Sequence, residues 1–228
     1  MSSTYRPYTY SYTVGPTISV QRPLTTSPTE LRHLTIAAIV LTIDFILIYS
    51  GPTIYSAPLE AVYVGTAVAA ALTAFLAHEM AHKVAAQRRG YWAEFRMSVI
   101  GLLVSLITAY IGFLFAAPGA TMIGGMANPE DWGRTSLAGP STNAVFGVAF
   151  LAASFGVGAA FPSEFVVIGA LQFLAFINSW FGTFNMIPIG PLDGAKVMRW
   201  SKSVWIGAFL IFVALTVATG VVLYFVGP

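Results

Sequence analysis

Six apolar stretches, Leu34 to Ser50, Leu59 to Ala86, Ser98 to Ala117, Asn143 to Phe161, Phe165 to Ile187 and Val204 to Val226, take up most of this chain. A helix needs about 20 apolar residues to cross the hydrocarbon layer of a bilayer, and these runs are of that order. Between them little remains from which to build a water-facing surface: 57% of the 228 residues are hydrophobic and 9% are charged. The chain therefore reads as a polytopic membrane protein with the lipid bilayer as its solvent. A formal charge of +2 is too small to point to nucleic acid, and no nucleic-acid partner is expected.

The residues before the first run, Met1 to Glu30, are polar and rich in Ser, Thr, Tyr and Pro, with Arg6 and Arg22 and no apolar core of a signal peptide. We read 1–30 as a tail and 31–228 as one transmembrane domain, with its core at roughly 59–200. Tyr91 to Met97 and Ala117 to Ile123 have the look of short strands. A Gly/Pro-rich stretch, Pro118 to Ala127, and a polar loop with Asp131 and Arg134 are expected before the run that opens at Asn143.

Inside the second apolar run stands His78-Glu79-Met80-Ala81-His82, an H-E-x-x-H pattern. Ionisable residues are costly within the bilayer and mark function there by default. On a helix the two histidines lie four positions apart on one face, so both rings can reach one zinc ion, with Glu79 beside its water. A catalytic zinc normally takes three protein ligands. The chain has no cysteine, so the third must be a histidine or carboxylate. One candidate is Asp193, in a loop where Pro188 and Pro191 stop the preceding helix and a carboxylate could bend back into the bundle.

His78-Glu79-x-x-His82 taken with Asn185-x-x-Pro188-x-x-Pro191-Leu192-Asp193-Gly194 resembles the site-2 protease family of intramembrane zinc metalloproteases, in its PDZ-lacking form. Ala138-Gly139-Pro140-Ser141-Thr142-Asn143 is similar to a third family stretch, and the resemblance runs from about Leu72 to Trp200. It implies one Zn2+ held by His78, His82 and Asp193, with Glu79 as the catalytic acid/base. Asn143 and Asn185 would lie near the site, as donors to substrate or oxyanion. The implied partner is a transmembrane protein substrate, cut within or near a membrane helix as in regulated intramembrane proteolysis. The departure is Ser98 to Ala117, more apolar than the family's short sheet region at that point.

Parity decides what that stretch does. The histidines and Asp193 both lie toward the C-terminal ends of their segments, so those ends must face one side for a single metal. If Ser98 to Ala117 crossed, they would face opposite sides. We therefore expect an all-α polytopic fold of about five transmembrane helices, one re-entrant or interfacial helix at Ser98 to Ala117, and a small membrane-associated β element. Lys83, Arg88, Arg89, Lys196, Arg199 and Lys202 then share one side. By the positive-inside tendency that puts the active site near the cytoplasmic face of a multi-pass protein, in the cell membrane. The first and last spans carry no ligand and are candidate gates for substrate.

Other residues need less. Asp44, mid-way along the first run, reads as a buried hydrogen-bonded or protonated structural acid. His33 sits at a membrane edge and needs no function. Two other classes remain open: a metal transporter using the same His and Asp residues for transit, and a non-proteolytic scaffold that binds a membrane partner.

Overall fold

A computed structural model of the chain describes residues 25–50, 57–125 and 128–226. Most of the expected tail, and the tip of the Pro118 to Ala127 stretch, lie outside them. Among the described residues five helices are long and apolar enough to span a bilayer: Pro28–Tyr49, Ala61–Gln87, Pro129–Ala160, Phe165–Asn185 and Lys202–Phe225.

The first helix, α1 (Pro28–Ser50), begins inside the expected tail. Ser27 caps it, its hydroxyl accepting the Glu30 backbone N–H at 3.1 Å, with Pro28 at the first helical position. Glu30 is wholly buried, so the polar tail ends sooner than composition indicated. The second span is a composite rod of α2 (Ala57–Ala70), a π-helical turn (Ala71–Leu76) and α3 (Ala77–Gln87). α1 packs on it through Leu34, Ala37, Leu41 and Phe45, which meet Ala67, Ala70, Ala71, Ala74 and Phe75. The small side chains on the rod let the backbones approach closely, and this packing replaces a hydrophobic driving force that lipid cannot supply.

After α3 the chain turns at Gly90, whose positive φ of 83° suits a residue without Cβ, and enters β1 (Trp92–Met97). The apolar stretch that follows is α4 (Val99–Tyr110), and the chain returns as β2 (Gly119–Gly124). The two strands pair antiparallel from Trp92↔Gly124 to Met97↔Gly119. Ser98 N–H then donates to the Pro118 carbonyl at 2.8 Å. The excursion therefore leaves and re-enters on adjacent backbone and does not cross. Twelve residues of helix also reach only about 18 Å. One face of α4, Leu102, Ser105 and Ala109, is buried, while Ile100, Leu103, Ile107 and Tyr110 are exposed, as suits a helix half-sunk in lipid.

The expected loop around Asp131 and Arg134 is instead helical. Asn128 caps α5 (Pro129–Ala160) by accepting the Glu130 N–H at 2.9 Å, so the helix starts 14 residues before Asn143. The Gly-Pro-Ser-Thr-Asn run that reads as a helix start lies in the helix interior, with Pro140 within it. Its 32 residues extend about 48 Å, longer than a bilayer is thick, so the charged first turns project beyond the apolar layer. α6 (Phe165–Asn185) returns alongside α5. A proline-rich turn leads into α7 (Asp193–Trp200), and α8 (Lys202–Val221) makes the last span, ending in a π-helical turn, Val222–Val226.

Candidate metal centre

α3 presents His78 and His82 one turn apart, both almost fully buried. Asp193 arrives from the start of α7, because the turn after α6 reverses the chain against its own end. Gly194 permits that reversal: a Cβ there would stand 2.0 Å from the Met186 carbonyl oxygen. The carbonyl accepts the Trp205 indole N–H at 2.9 Å, which fastens α8 to the same point.

Three atoms converge. Nε2 of His78 and Nε2 of His82 are 3.0 Å apart, and Oδ2 of Asp193 lies 3.3 Å from the first and 2.9 Å from the second. Nδ1 of His82 donates to the Thr135 carbonyl at 2.8 Å, and Nδ1 of His78 donates to Asn143 Oδ1 at 2.5 Å. In neutral rings this spends each ring proton at Nδ1 and leaves Nε2 with a lone pair. Two lone pairs and a carboxylate then face one another with no proton between them, a set that a cation satisfies. Separations near 3 Å also approach the edges of a zinc tetrahedron, about 3.3 Å for bonds of 2.0–2.1 Å.

Gly139 of α5 keeps room for that cation. A Cβ at this position would stand 2.4 Å from His82 Nε2 and 2.6 Å from His78 Nε2. Asp193 is locked from its other side, since Lys196 Nζ donates to Oδ1 at 3.1 Å.

Glu79 is buried beside this group. Its Oε2 accepts the Thr121 hydroxyl of β2 at 2.7 Å. Glu79, His82 and Asp193 share a cavity of about 50 Å3 with the 116–121 segment, Phe181, Asn185 and Lys196, room for a few waters. Asn185 lines this cleft while one of its amide N–H groups donates to the Phe181 carbonyl at 3.0 Å. Asn143 stands behind His78 and does not line the cleft. It is wholly buried, its Nδ2 donating to the Ala74 carbonyl at 3.0 Å and to Asn178 Oδ1 at 3.4 Å, so no donor is free for an oxyanion.

Neither α1 nor α8, the first and last spans, lines the cleft. Asp44 is wholly buried, yet neither carboxylate oxygen has a hydrogen-bond partner among the described residues. Ser105 of α4 turns its hydroxyl to the Leu102 carbonyl. Lys83, expected on one side together with Arg88 and Arg89, is buried in an ion pair with Glu30. Thr121 and Asn178 were not singled out from the sequence, and Lys196 figured there only as a charge on one side. Asn178 left a signal there as an amide inside an apolar run, one it shares with Gln172 and Asn185.

The chain is 36% identical over 183 residues to a Methanocaldococcus jannaschii protein named "Putative zinc metalloprotease MJ0611", a match covering 78% of this chain and 88% of that protein. This chain belongs to that zinc metalloprotease family. It is also 33% identical over 129 residues to "Putative zinc metalloprotease Rip3" of Mycobacterium tuberculosis, a match covering 56% of this chain but only 28% of Rip3. No family model and no solved structure matches. Both relatives are named for zinc, and the His78, His82 and Asp193 donors form a group suited to it, so the cofactor is Zn2+.

Proposed function

We propose that the protein is an intramembrane zinc endopeptidase of the site-2 protease type, acting on a transmembrane protein substrate within or near a membrane helix. The observation that carries this reading is the convergence of His78, His82 and Asp193 beside Glu79, in a cleft walled by helices of membrane-spanning length.

His78 Nε2, His82 Nε2 and Asp193 Oδ2 would hold the zinc. When bound, zinc supplies Lewis acidity, lowering the pKa of a water and polarising a carbonyl. Glu79 takes the proton of the attacking water, and the Thr121 bond on Oε2 holds its carboxylate in place for that transfer. Glu79 then returns the proton to the leaving amine. Asn185 has a second amide N–H for the developing oxyanion. Asn143 is assigned to positioning His78 instead.

A substrate helix hides its peptide bonds in its own hydrogen bonds, so the segment to be cut must be extended. β2 pairs with β1 along one edge, and its residues Gly119 to Thr121 line the cleft. An extended substrate segment pairing with its other edge would lie beside Glu79. Arg88 and Arg89 after α3, with Lys196, Arg199 and Lys202 around α7, lie toward the ligand-bearing ends and favour the cytoplasmic face of the cell membrane for the site.

Glu79→Gln tests the reading against its alternatives. The variant is expected to keep its zinc and to lose cleavage of a membrane substrate by about 10²–10⁴-fold, the range for a general base. Cleavage at the wild-type rate would end the protease reading. Zinc flux across vesicles that survives the substitution would favour a transporter, and a wild-type protein without cleavage would favour a scaffold.

A further inference from the structure

We propose that Asn178, acting through Asn143 and helped by the π-helical turn Ala71–Leu76, fixes which nitrogen of His78 is free to bind metal. The inference rests on the zinc site and not on proteolysis. An imidazole next to a side-chain amide is ambiguous, because either ring nitrogen can carry the proton and the amide can flip. Asn143 in isolation would bind His78 equally well with its NH2 turned to the ring, which would drive the ring proton to Nε2 and close the metal site.

Groups that cannot change sign remove the ambiguity. Asn178 Nδ2 donates to the Leu174 carbonyl at 2.9 Å, and a carbonyl can only accept. It also donates at 3.0 Å to Thr73 Oγ1, whose own proton goes to the Ala69 carbonyl at 2.7 Å. The Asn178 amide is thus pinned with Oδ1 outward, toward Asn143 Nδ2 at 3.4 Å. Asn143 Nδ2 meets a second obligatory acceptor, the Ala74 carbonyl, at 3.0 Å.

Both contacts require nitrogen on that side of Asn143, so Oδ1 faces His78 and the ring proton sits on Nδ1. A flipped Asn143 would press its oxygen against two acceptors, leaving buried groups unpaired at about 1–3 kcal/mol each. Thr73 and Ala74 both belong to the π-helical turn, one turn before His78. Such turns shift carbonyls out of the regular ladder and recur at functional sites. Here Thr73 meets Asn178 and the Ala74 carbonyl meets Asn143, so the irregular turn supplies acceptors at both ends. Asn178 is wholly buried and does not line the cleft, which makes it a positioning residue.

The chain has three histidines, so a histidine-labelled sample shows three ring systems, simple enough to read tautomers by nitrogen NMR. Wild type, Asn178→Leu, Asn143→Ala and the double variant, each as the full chain in detergent, are compared metal-free for tautomer and then titrated with zinc. In the metal-free wild type, His78 should carry its proton on Nδ1. Asn178→Leu should give His78 as a tautomer mixture and weaken zinc binding by about tenfold, as loss of an outer partner does. In the Asn143→Ala background it should weaken zinc no further.

A wild-type tautomer with unchanged zinc affinity in Asn178→Leu overturns the proposal. Equal losses in both backgrounds also overturn it, since a purely structural defect adds. If Asn178→Leu does not fold, Asn178→Ser goes through the same cycle with the same criteria. A wild-type protein that binds zinc but cuts nothing defeats the protease reading and leaves this one standing. If the wild type binds no zinc, the metal-free tautomers decide alone.

Discussion

Gly139 shows how much of the metal centre depends on a side chain that is not there. A methyl group in its place would intrude on both Nε2 atoms. Gly139→Ala is therefore expected to weaken zinc by at least the ~10–100-fold seen when a site's supporting groups are disturbed. Equilibrium dialysis against zinc checks it, and wild-type affinity would mean that the ligands do not meet at this place. Asp44 gives the opposite expectation. A buried polar group without a partner costs about 1–3 kcal/mol, so Asp44→Leu should leave thermal stability in detergent unchanged or raised. A marked loss would show that the carboxyl has an essential partner. His78, Glu79 and His82 were legible in the sequence because their spacing needs only a helix to become geometry. Asn143 was legible as a residue but not as a contact, since Gly139-Pro140 reads locally as a helix start.

Glu30 and Lys83 join three elements that sequence alone left separate. Lys83 at the end of α3 pairs with Glu30 at the start of α1, and Glu30 Oε1 accepts the Phe95 N–H of β1 at 3.1 Å. The pair is almost wholly buried, so removing one partner strands a charge. Either Glu30→Leu or Lys83→Met should destabilise by about 3–5 kcal/mol, and the double replacement should recover much of that. Denaturant unfolding in detergent measures both, and additive losses would mean that the two residues act separately. Counting charges by position grouped Lys83 with Arg88 and Arg89 on one side but gave it no partner, because one 53 residues earlier is invisible without the fold. The non-crossing Ser98 to Ala117 stretch was legible, since the demand for one metal fixed the number of crossings. The early start of α5 was not: its first turns carry Glu130, Asp131 and Arg134, and a helix projecting into water has the composition of a loop.

At the scale of the whole molecule, the five helices of spanning length among the described residues and one closed excursion bring the start of α1, the end of α3, the start of α5 and the end of α6 to one face. Single cysteines at Tyr91 and Asn128 should therefore label from the same side of sealed vesicles, and opposite sides would break the topology. The same arrangement directs attention to how substrate enters. The segment that leaves α4 leans on α6 through Phe113 against Trp180, with centroids 5.9 Å apart, and Phe115 against Phe184, at 5.0 Å. The Trp180 indole N–H also donates to the Leu114 carbonyl at 3.4 Å. Directly beyond, residues 116–121 form a wall of the cleft, so on the proposed function this seam would close a lateral way in from lipid. It is held by a few ring contacts of about 0.5–1.5 kcal/mol each, weak enough to part for a substrate helix. A cross-link between Phe115→Cys and Phe184→Cys should thus block cleavage of a membrane substrate, leave zinc bound, and be reversed by reduction. A control cross-link between α1 and α2, which pack together and do not line the cleft, should leave cleavage intact. If the seam cross-link leaves cleavage at the uncross-linked rate, substrate enters by another route.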